Sequence, residues 1–470
     1  MKNHWKDKKV AVLGWGINGL DIAEYLLKQG VHITIFDDKE VDELDFSEFD
    51  TKKVKLVLGS SYIKYGLNSF DYIFRAPGVY RYLPEIVKAE KKGVVVTSVV
   101  KLFFDLCPGT IIGVTGTKGK GTTSTLIYQI LKNAGKDVYL AGNIGIPMLT
   151  LLPKLTSKSW VVLELSSFQL IDMTKSPHIA VILNITEDHM DWHIDRDEYV
   201  KAKTQIVRYQ NKNDIAAMNY DYSDSKNFSK LTKAKTYFFS RKGKVNGSYV
   251  EDGNIKLDVG SKIYDIGKTK KLLLRGKHNW ENVCAAICAS YLAGAAIKSI
   301  KEVVFSFKGL EHRLELVGEI KGIKFYNDSF STNPQTTIAA IKSFEEPLTL
   351  ILGGSDKGLD YDGMGKEISK SKNVRNIILI GDISDVIENA IKKAGYTGKV
   401  LKLGKSDMQQ IVKKCVNVTP KDGIALLSPA TASFDMFANY KERGSKFKEA
   451  VVNLKLRKTP KVASKINPTG

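Results

Sequence analysis

The sequence predicts an α/β protein of three successive domains, built on mainly parallel, doubly wound sheets. Three observations carry this reading. The chain has 470 residues, or about three domains at roughly 150 residues each. Short apolar strand signals alternate with helical stretches from end to end, the pattern of parallel sheets joined by crossover helices. Twice, a glycine-rich turn directly follows the first strand of a unit, at Gly14 to Gly19 and at Gly116 to Gly121.

In the first unit Val10 to Leu13 reads as a strand, Gly14 to Gly19 as a turn, and Ile22 to Lys28 as an amphipathic helix closed by Gly30. His32 to Phe36 reads as a second strand ending at Asp37 and Asp38, with later strands at 54–58, 72–74 and 94–97. A second unit opens with a strand at Ile111 to Val114 and a helix at Thr123 to Asn133, then strands at 160–163 and 179–183. A third follows Gly309, with strands at 323–326, 348–352, 377–380 and 424–427. The expected boundaries are 1–100, 101–310 and 311–454, followed by a basic tail at 455–470.

Composition narrows the function classes. With 43% hydrophobic and 26% charged residues, each domain can bury an ordinary core. The longest weakly polar run, Val283 to Ile297, is too short to span a bilayer and reads as one buried helix. The start holds three glycines where a secretory signal would be rich in leucine, so it is expected to be a first strand of a cytoplasmic protein. Four cysteines (107, 284, 288 and 415) form no CxxC, and Cys284 and Cys288 read as core thiols. The net charge of +20 comes from 61 lysines and 10 arginines scattered along the chain. Nucleic-acid binders cluster such residues on one face, so a solvated surface and no nucleic-acid partner are expected.

The first glycine turn, Gly14-x-Gly16-x-x-Gly19 with Asp37 ending the next strand, matches a dinucleotide fingerprint. Alone it leaves a nicotinamide cofactor, another nucleotide or a mere turn open. The second turn places backbone N–H groups and Lys120 between a strand and a helix, which suits phosphate. It misses strict Walker spacing, because Val114 stands five residues before Gly119 and Gly121 follows Lys120. A surface glycine turn is the alternative. Glu164 stands just past a buried strand, and His189 and His193 follow another, where open α/β sheets bind ligands. Carboxylates with one imidazole suit Mg²⁺ or Mn²⁺; a capped loop histidine is the plainer reading.

A set of motifs in fixed order then carries a resemblance. Thr-Gly-Thr-Lys-Gly-Lys (115–120), Gly-Asn-Ile-Gly (142–145), Glu-Leu-Ser-Ser-Phe-Gln-Leu (164–170), Glu-Asp-His-Met-Asp (187–191) and Tyr199-x-x-Ala-Lys203 come first. Gly-Lys-His-Asn-x-x-Asn (276–282), His312-Arg313, Asn-Asp-Ser (327–329) and Leu-Ser-Pro-Ala-x-Ala-Ser-Phe-Asp (427–435) follow. Together they resemble the Mur ligase family across nearly the whole chain, closest to its D-glutamate-adding branch. The resemblance implies Rossmann-like first and last domains around a P-loop ATPase-like centre. It implies a bacterial, monomeric, cytoplasmic enzyme of peptidoglycan precursor synthesis. Its substrates would be UDP-N-acetylmuramoyl-L-alanine, D-glutamate and ATP, with Mg²⁺ or Mn²⁺.

Residue by residue, the resemblance puts Lys120 on the transferring phosphoryl group. Glu164, His189 and Lys203 go to the metals, Lys203 as a carbamate formed with CO₂, with Thr122 as a further metal ligand. A surface helix lysine is the plain reading of Lys203. ATP would meet Gly116, Thr117, Lys118, Gly119, Lys120, Gly121, Thr122 and Thr123 in the loop, and Asn279, Asn282, Arg313 and Asp328 beyond it. The uridine substrate would meet Gly14, Gly16, Ile17, Asn18, Asp37, Asn143 and Ser166. The amino acid would meet Thr332, Lys357, Ser433 and Tyr440, with an ordinary loop lysine as the alternative at Lys357.

Three positions depart from the family pattern. Gly121 replaces a hydroxyl residue, Lys118 an asparagine, and Phe330 a lysine. They keep two other outcomes in play: L-glutamate as substrate, or a nucleotide-binding relative with impaired catalysis. A nicotinamide-dependent dehydrogenase rests on the first glycine turn alone.

Overall fold

A computed structural model describes residues 5, 7–44, 46, 54–64 and 66–456; the basic tail expected at 455–470 lies almost wholly outside them. The chain forms two compact units, 1–271 with 280–305, and 272–279 with 306–470.

The first unit holds two sheets. Strands β1 (Val10–Leu13), β2 (Ile33–Asp37), β3 (Val54–Leu58), β4 (Tyr72–Arg75) and β5 (Val95–Thr97) pair in the order β3-β2-β1-β4-β5, all parallel. The order reverses between β1 and β4, which opens a crevice at their carboxyl ends. The second sheet comprises β6 (Thr110–Thr115), β7 (Val138–Gly142), β8 (Trp160–Glu164), β9 (Ile179–Ile182), β10 (Ile215–Asn219), β11 (Lys235–Ser240), β12 (Gly247–Glu251), β13 (Asn254–Val259) and β14 (Lys262–Lys268). Their order is β14-β13-β12-β11-β10-β9-β6-β8-β7, parallel from β7 to β12 and antiparallel beyond. Strands such as β9 (Ile-Ala-Val-Ile) are buried throughout, as expected of a parallel sheet covered on both faces. One apolar cluster joins the two sheets: Ile22 and Leu26 of the helix Ile17–Lys28 pack in the same core as Met148, Leu149 and Leu163.

The second unit carries β15 (Glu315–Ile320), β16 (Ile323–Asn327), β17 (Leu348–Gly353), β18 (Val374–Ile380), β19 (Lys399–Gly404) and β20 (Ile424–Leu427). Their order is β15-β16-β20-β17-β18-β19, parallel except for the β15/β16 edge. Apolar clusters around Leu350 and around Ile351 reflect the alternation of β17, which is buried on both faces. Among the described residues no helix is long and apolar enough to cross a membrane.

Two expected helices change. The first begins at Ile17, so Ile17, Asn18 and Gly19 lie in its opening turn instead of in a loop. The single helix expected over 283–297 is two, His278–Leu292 and Ile297–Ser306. Gly294, at φ +86, takes the left-handed conformation that ends the first, and its N–H closes onto Tyr291 O.

Candidate active site

The crevice between β1 and β4 is a cavity of about 570 Å³, within the usual range for small-molecule sites. Gly14, Gly16, Ile17, Asn18 and Asp37 line it from the first sheet, and Asn143, Ser166 and Phe168 from the second. All seven residues expected at the uridine substrate therefore meet in one place. Asp37 accepts bonds from Trp15 N at 2.6 Å and Lys39 N at 3.1 Å, which fixes its carboxylate at the rim of the turn.

The second glycine turn runs from the end of β6 into the helix Lys120–Asn133. Gly119 sits at φ +89, and a Cβ there would collide with the Asn282 amide, so only glycine fits. Thr117 N donates to Asn184 O (2.7 Å) and Lys118 N to Asn184 Oδ1 (2.9 Å). The hydroxyls of Thr117 and Tyr199 share a 2.8 Å bond. Lys120 Nζ donates to the carbonyls of Gly116 (3.1 Å) and Thr117 (3.0 Å), folding its cation across the loop. A helix N-terminus with a cation laid over it has the field and the donors that suit a phosphate. Thr122 and Thr123 are buried in that first turn, beside Gly121.

Lys203 lies on the helix Arg196–Arg208, which Asp195 caps by accepting Glu198 N at 2.7 Å. It is buried, which overturns the surface-lysine alternative. Tyr199, one turn earlier, places its ring 4.7 Å from the ammonium. Lys203 Nζ donates to Gly116 O at 3.0 Å and Thr115 Oγ1 at 3.5 Å, both neutral acceptors. Burial, then the neighbouring Lys120 cation, pull its pKa well below the ordinary lysine value, with Asp188 and Glu164 opposing. The amine is therefore held toward its neutral, nucleophilic form.

Glu164 ends β8, buried, and its Oε1 accepts Asn143 Nδ2 at 3.1 Å. Asn143 thus touches both the first cavity and Glu164. The two histidines after β9 have different environments. His189, at φ +57, is partly open, with its ring against Phe168 at 4.7 Å. His193 is buried between Glu198 (Nδ1 to Oε2, 3.1 Å) and Ser167 (Nε2 to Oγ, 2.9 Å). Burial lowers its pKa, so the neutral ring donates to the carboxylate and accepts from the hydroxyl. Of these two rings, His189 is the one left open to a ligand.

In the second unit, loops at the carboxyl ends of β16, β17 and β20 are tied together. Ser355 N donates to Ala432 O at 3.1 Å and Thr431 Oγ1 to Ser355 O at 2.6 Å. These bonds join the loop of exposed Lys357 to that of buried Ser433. Asp328 is buried and accepts from Ser331 (2.5 Å), Ser428 (2.8 Å) and Leu314 N (3.1 Å); burial lifts its pKa to about 6. Phe330 stacks beneath the Arg313 guanidinium at 4.2 Å and meets Tyr440 edge-on at 5.4 Å. Thr332 N closes onto Phe330 O at 2.9 Å. Asn279 belongs to this unit and its amide donates to Arg275 O at 2.6 Å; Asn282 belongs to the first.

Sequence reasoning passed over Arg443, which is buried and donates to Ser329 Oγ (3.0 Å), Ser329 O (3.0 Å), Thr431 O (3.1 Å) and Ala432 O (3.1 Å). It also passed over Arg75 and Arg81, both buried. One signal was available: in a chain of 61 lysines, the 10 arginines are few enough to single out as candidates for places that want a planar fork of donors.

Family models match all three regions: "Mur ligase MurD-like, N-terminal domain" at 8–98, "Mur ligase middle domain" at 114–290, and "Mur ligase, glutamate ligase domain" at 312–430. A UDP-N-acetylmuramoylalanine--D-glutamate ligase of Acetivibrio thermocellus is 40% identical over 457 residues, covering 96% of this chain and 97% of that protein. The enzyme of that name from Ruminiclostridium cellulolyticum is 39% identical, covering 97% and 98%. Among solved structures, the UDP-N-acetylmuramate-alanine ligase MurC of Thermotoga maritima aligns with TM-score 0.57 at 17% identity, covering 95% of this chain and 100% of that one. The MurF ligase of Thermotoga maritima in complex with ADP gives 0.54 at 18%, covering 97% of each. At that identity the two structures speak to fold alone.

Proposed function

This chain belongs to the Mur ligase family, and from that premise we propose that it joins D-glutamate to UDP-N-acetylmuramoyl-L-alanine. It is an ATP-dependent amide-bond-forming ligase of peptidoglycan precursor synthesis. The observation that carries the substrate assignment is Asn143, which lines the first cavity and holds Glu164. A nucleotide-linked carboxylate seated there lies next to the phosphate loop's machinery.

The chemistry follows from that arrangement. A carboxylate resists attack by an amine until one oxygen becomes part of a leaving group. The alanine carboxylate attacks the γ-phosphorus of ATP and ADP leaves. The amine of glutamate then adds to the acyl phosphate, and the tetrahedral intermediate expels phosphate as the amine loses a proton. Such catalysis is mostly positioning and charge neutralisation. Lys120 and the N–H groups of the helix Lys120–Asn133 are suited to the polyphosphate. The neutral amine of Lys203 is the form that adds to CO₂, and as a carbamate it would join Glu164 and His189 in holding Mg²⁺ or Mn²⁺. The metal would supply positive charge against the phosphoryl oxygens. Thr332, Lys357 and Ser433 offer hydroxyls and one cation for glutamate's carboxylates. With Phe330 stacked on Arg313, no lysine stands at that position; glutamate would rely on Lys357 for its cation.

The test is phosphate release with UDP-N-acetylmuramoyl-L-alanine and ATP, scanned against amino acids. D-Glutamate should support turnover, L-glutamate far less, and alanine or leucine none, because polar groups left unpaired reject analogues strongly. Mostly L-glutamate product would overturn the enantiomer, and alanine addition the substrate class.

A further inference from the structure

The first cavity takes much of its wall from one short segment, Ala76-Pro77-Gly78-Val79-Tyr80, which follows β4. Backbone bonds tie the start of this segment, Ala76 N to Leu13 O at 2.8 Å and Val79 N to Ala76 O at 3.1 Å, while the carbonyls beyond need donors from elsewhere. Arg75, the last residue of β4, supplies them. Its guanidinium is buried and donates through Nη1 to Ala76 O (3.3 Å), Pro77 O (3.5 Å) and Val79 O (2.8 Å). Through Nη2 it donates to Phe168 O at 2.9 Å, the opposite wall of the same cavity, contributed by the second sheet. Arg75 itself does not line the cavity.

Charge holds the guanidinium in place. Asp172, just beyond the helix Ser167–Leu170, lies 3.6 Å from Arg75 Nη2, 2.9 Å from Arg81 Nε and 3.0 Å from Lys101 Nζ. One carboxylate of the second sheet's domain therefore gathers two arginines of the first, Arg75 and Arg81, together with Lys101 of the helix Val99–Leu106. On its other side the same segment is fastened by Trp192 Nε1, which donates to Gly78 O at 3.0 Å. A buried fork of donors satisfied mainly by carbonyls costs desolvation that a plain interdomain contact would not need.

We propose that Arg75 is a positioning residue for the nucleotide-linked substrate. Anchored by Asp172, it sets the distance between the two walls of the uridine cavity and the path of Ala76–Val79, and so decides how tightly that substrate is held. This rests on the reading that the cavity takes the UDP substrate. A merely structural arginine would lower stability and affect every substrate alike; a positioning arginine acts on one. Lysine can reach one or two of these carbonyls but cannot span four acceptors in a plane.

The test measures KM for UDP-N-acetylmuramoyl-L-alanine, ATP and glutamate, with thermal melting, in the wild type, Arg75→Met, Arg75→Lys, Asp172→Asn and Asp37→Ala. Arg75→Met should raise KM for the UDP substrate about tenfold or more, leaving KM for ATP and glutamate within about twofold. Arg75→Lys and Asp172→Asn should fall between it and wild type, and they carry the test if Arg75→Met does not fold. An unchanged KM for the UDP substrate, or an equal rise in all three with a fall in melting temperature, overturns the proposal. If Asp37→Ala raises KM for the UDP substrate and the Arg75 variants do not, only the role of Arg75 falls. If none of them moves it, the cavity assignment falls too.

Discussion

The two glycine turns of the first unit have the same architecture and opposite chemistry. Each leaves the first strand of its sheet at a switch point among parallel strands, and each opens a helix, Ile17–Lys28 or Lys120–Asn133. The first has a carboxylate at its rim, Asp37, bound to the backbone of Trp15. The second has two lysines converging on the Gly116 carbonyl, Lys120 at 3.1 Å and Lys203 at 3.0 Å. A glycine turn supplies room and N–H groups; the charge beside it selects what enters. An acid favours the hydroxyls and amides of a nucleoside, whereas the Lys120 cation favours the polyphosphate of ATP. This contrast is why the proposed function gives the fingerprint at Gly14 to Gly19 to the uridine nucleotide.

Lys120→Ala separates the loops most sharply. Losing one preorganised electrostatic contact typically costs about 10²–10³ in rate, so phosphate release should drop by that much in a folded protein with little change in binding of the UDP substrate. Unchanged release would take the second loop out of the mechanism.

Lys203 should divide activity from stability. Lys203→Ala should be almost inactive, and a short carboxylic acid added to the buffer should restore part of the activity by replacing the carbamate. Lys203→Arg at wild-type rate would rule the carbamate out, because a guanidinium cannot form it. Lys203→Met should melt higher than wild type at pH 7 in CO₂-free buffer. The sign follows from linkage: with its folded pKa depressed, Lys203 binds fewer protons in the native state than in the unfolded one. The resulting penalty is full below the folded pKa and fades as pH rises toward 10.5, the unfolded value. The melting advantage of Lys203→Met should shrink over the same interval. A Lys203→Met protein less stable than wild type at every pH would contradict this reading.

The smallest effect belongs to the first loop. Asp37→Ala should raise KM for the UDP substrate about tenfold, the equivalent of about 1.4 kcal/mol, with KM for ATP unmoved. Equilibrium binding of UDP against ADP checks it; equal weakening of both would erase the division between the loops.

The sequence made the loops legible because glycines at fixed spacing after an apolar strand admit few structures. The buried strands were legible for a similar reason: Ile179 to Leu183 is an unbroken apolar run and Leu348 to Leu352 is interrupted only by Thr349, and such runs have little other use. Lys203 was readable only through the motif around it, since its burial depends on a helix face meeting the end of β6 far away in sequence. His189 and His193 looked alike, and only the Glu198 and Ser167 partners of His193 separate them. The arginine clamps at Arg75 and Arg443 bind backbone carbonyls, which carry no sequence signature. The hairpin extension β12 to β14 went unread because its alternating polar pattern fits a surface loop as well as an edge sheet.

The most direct test of the ligase chemistry follows an oxygen atom. UDP-N-acetylmuramoyl-L-alanine labelled with ¹⁸O in the alanine carboxylate is turned over with ATP and D-glutamate, and the released phosphate is analysed by mass. If the carboxylate attacks the γ-phosphorus and phosphate later leaves the acyl carbon, one labelled oxygen travels into each phosphate. Unlabelled phosphate from a reaction that still forms the amide would contradict the acyl-phosphate route.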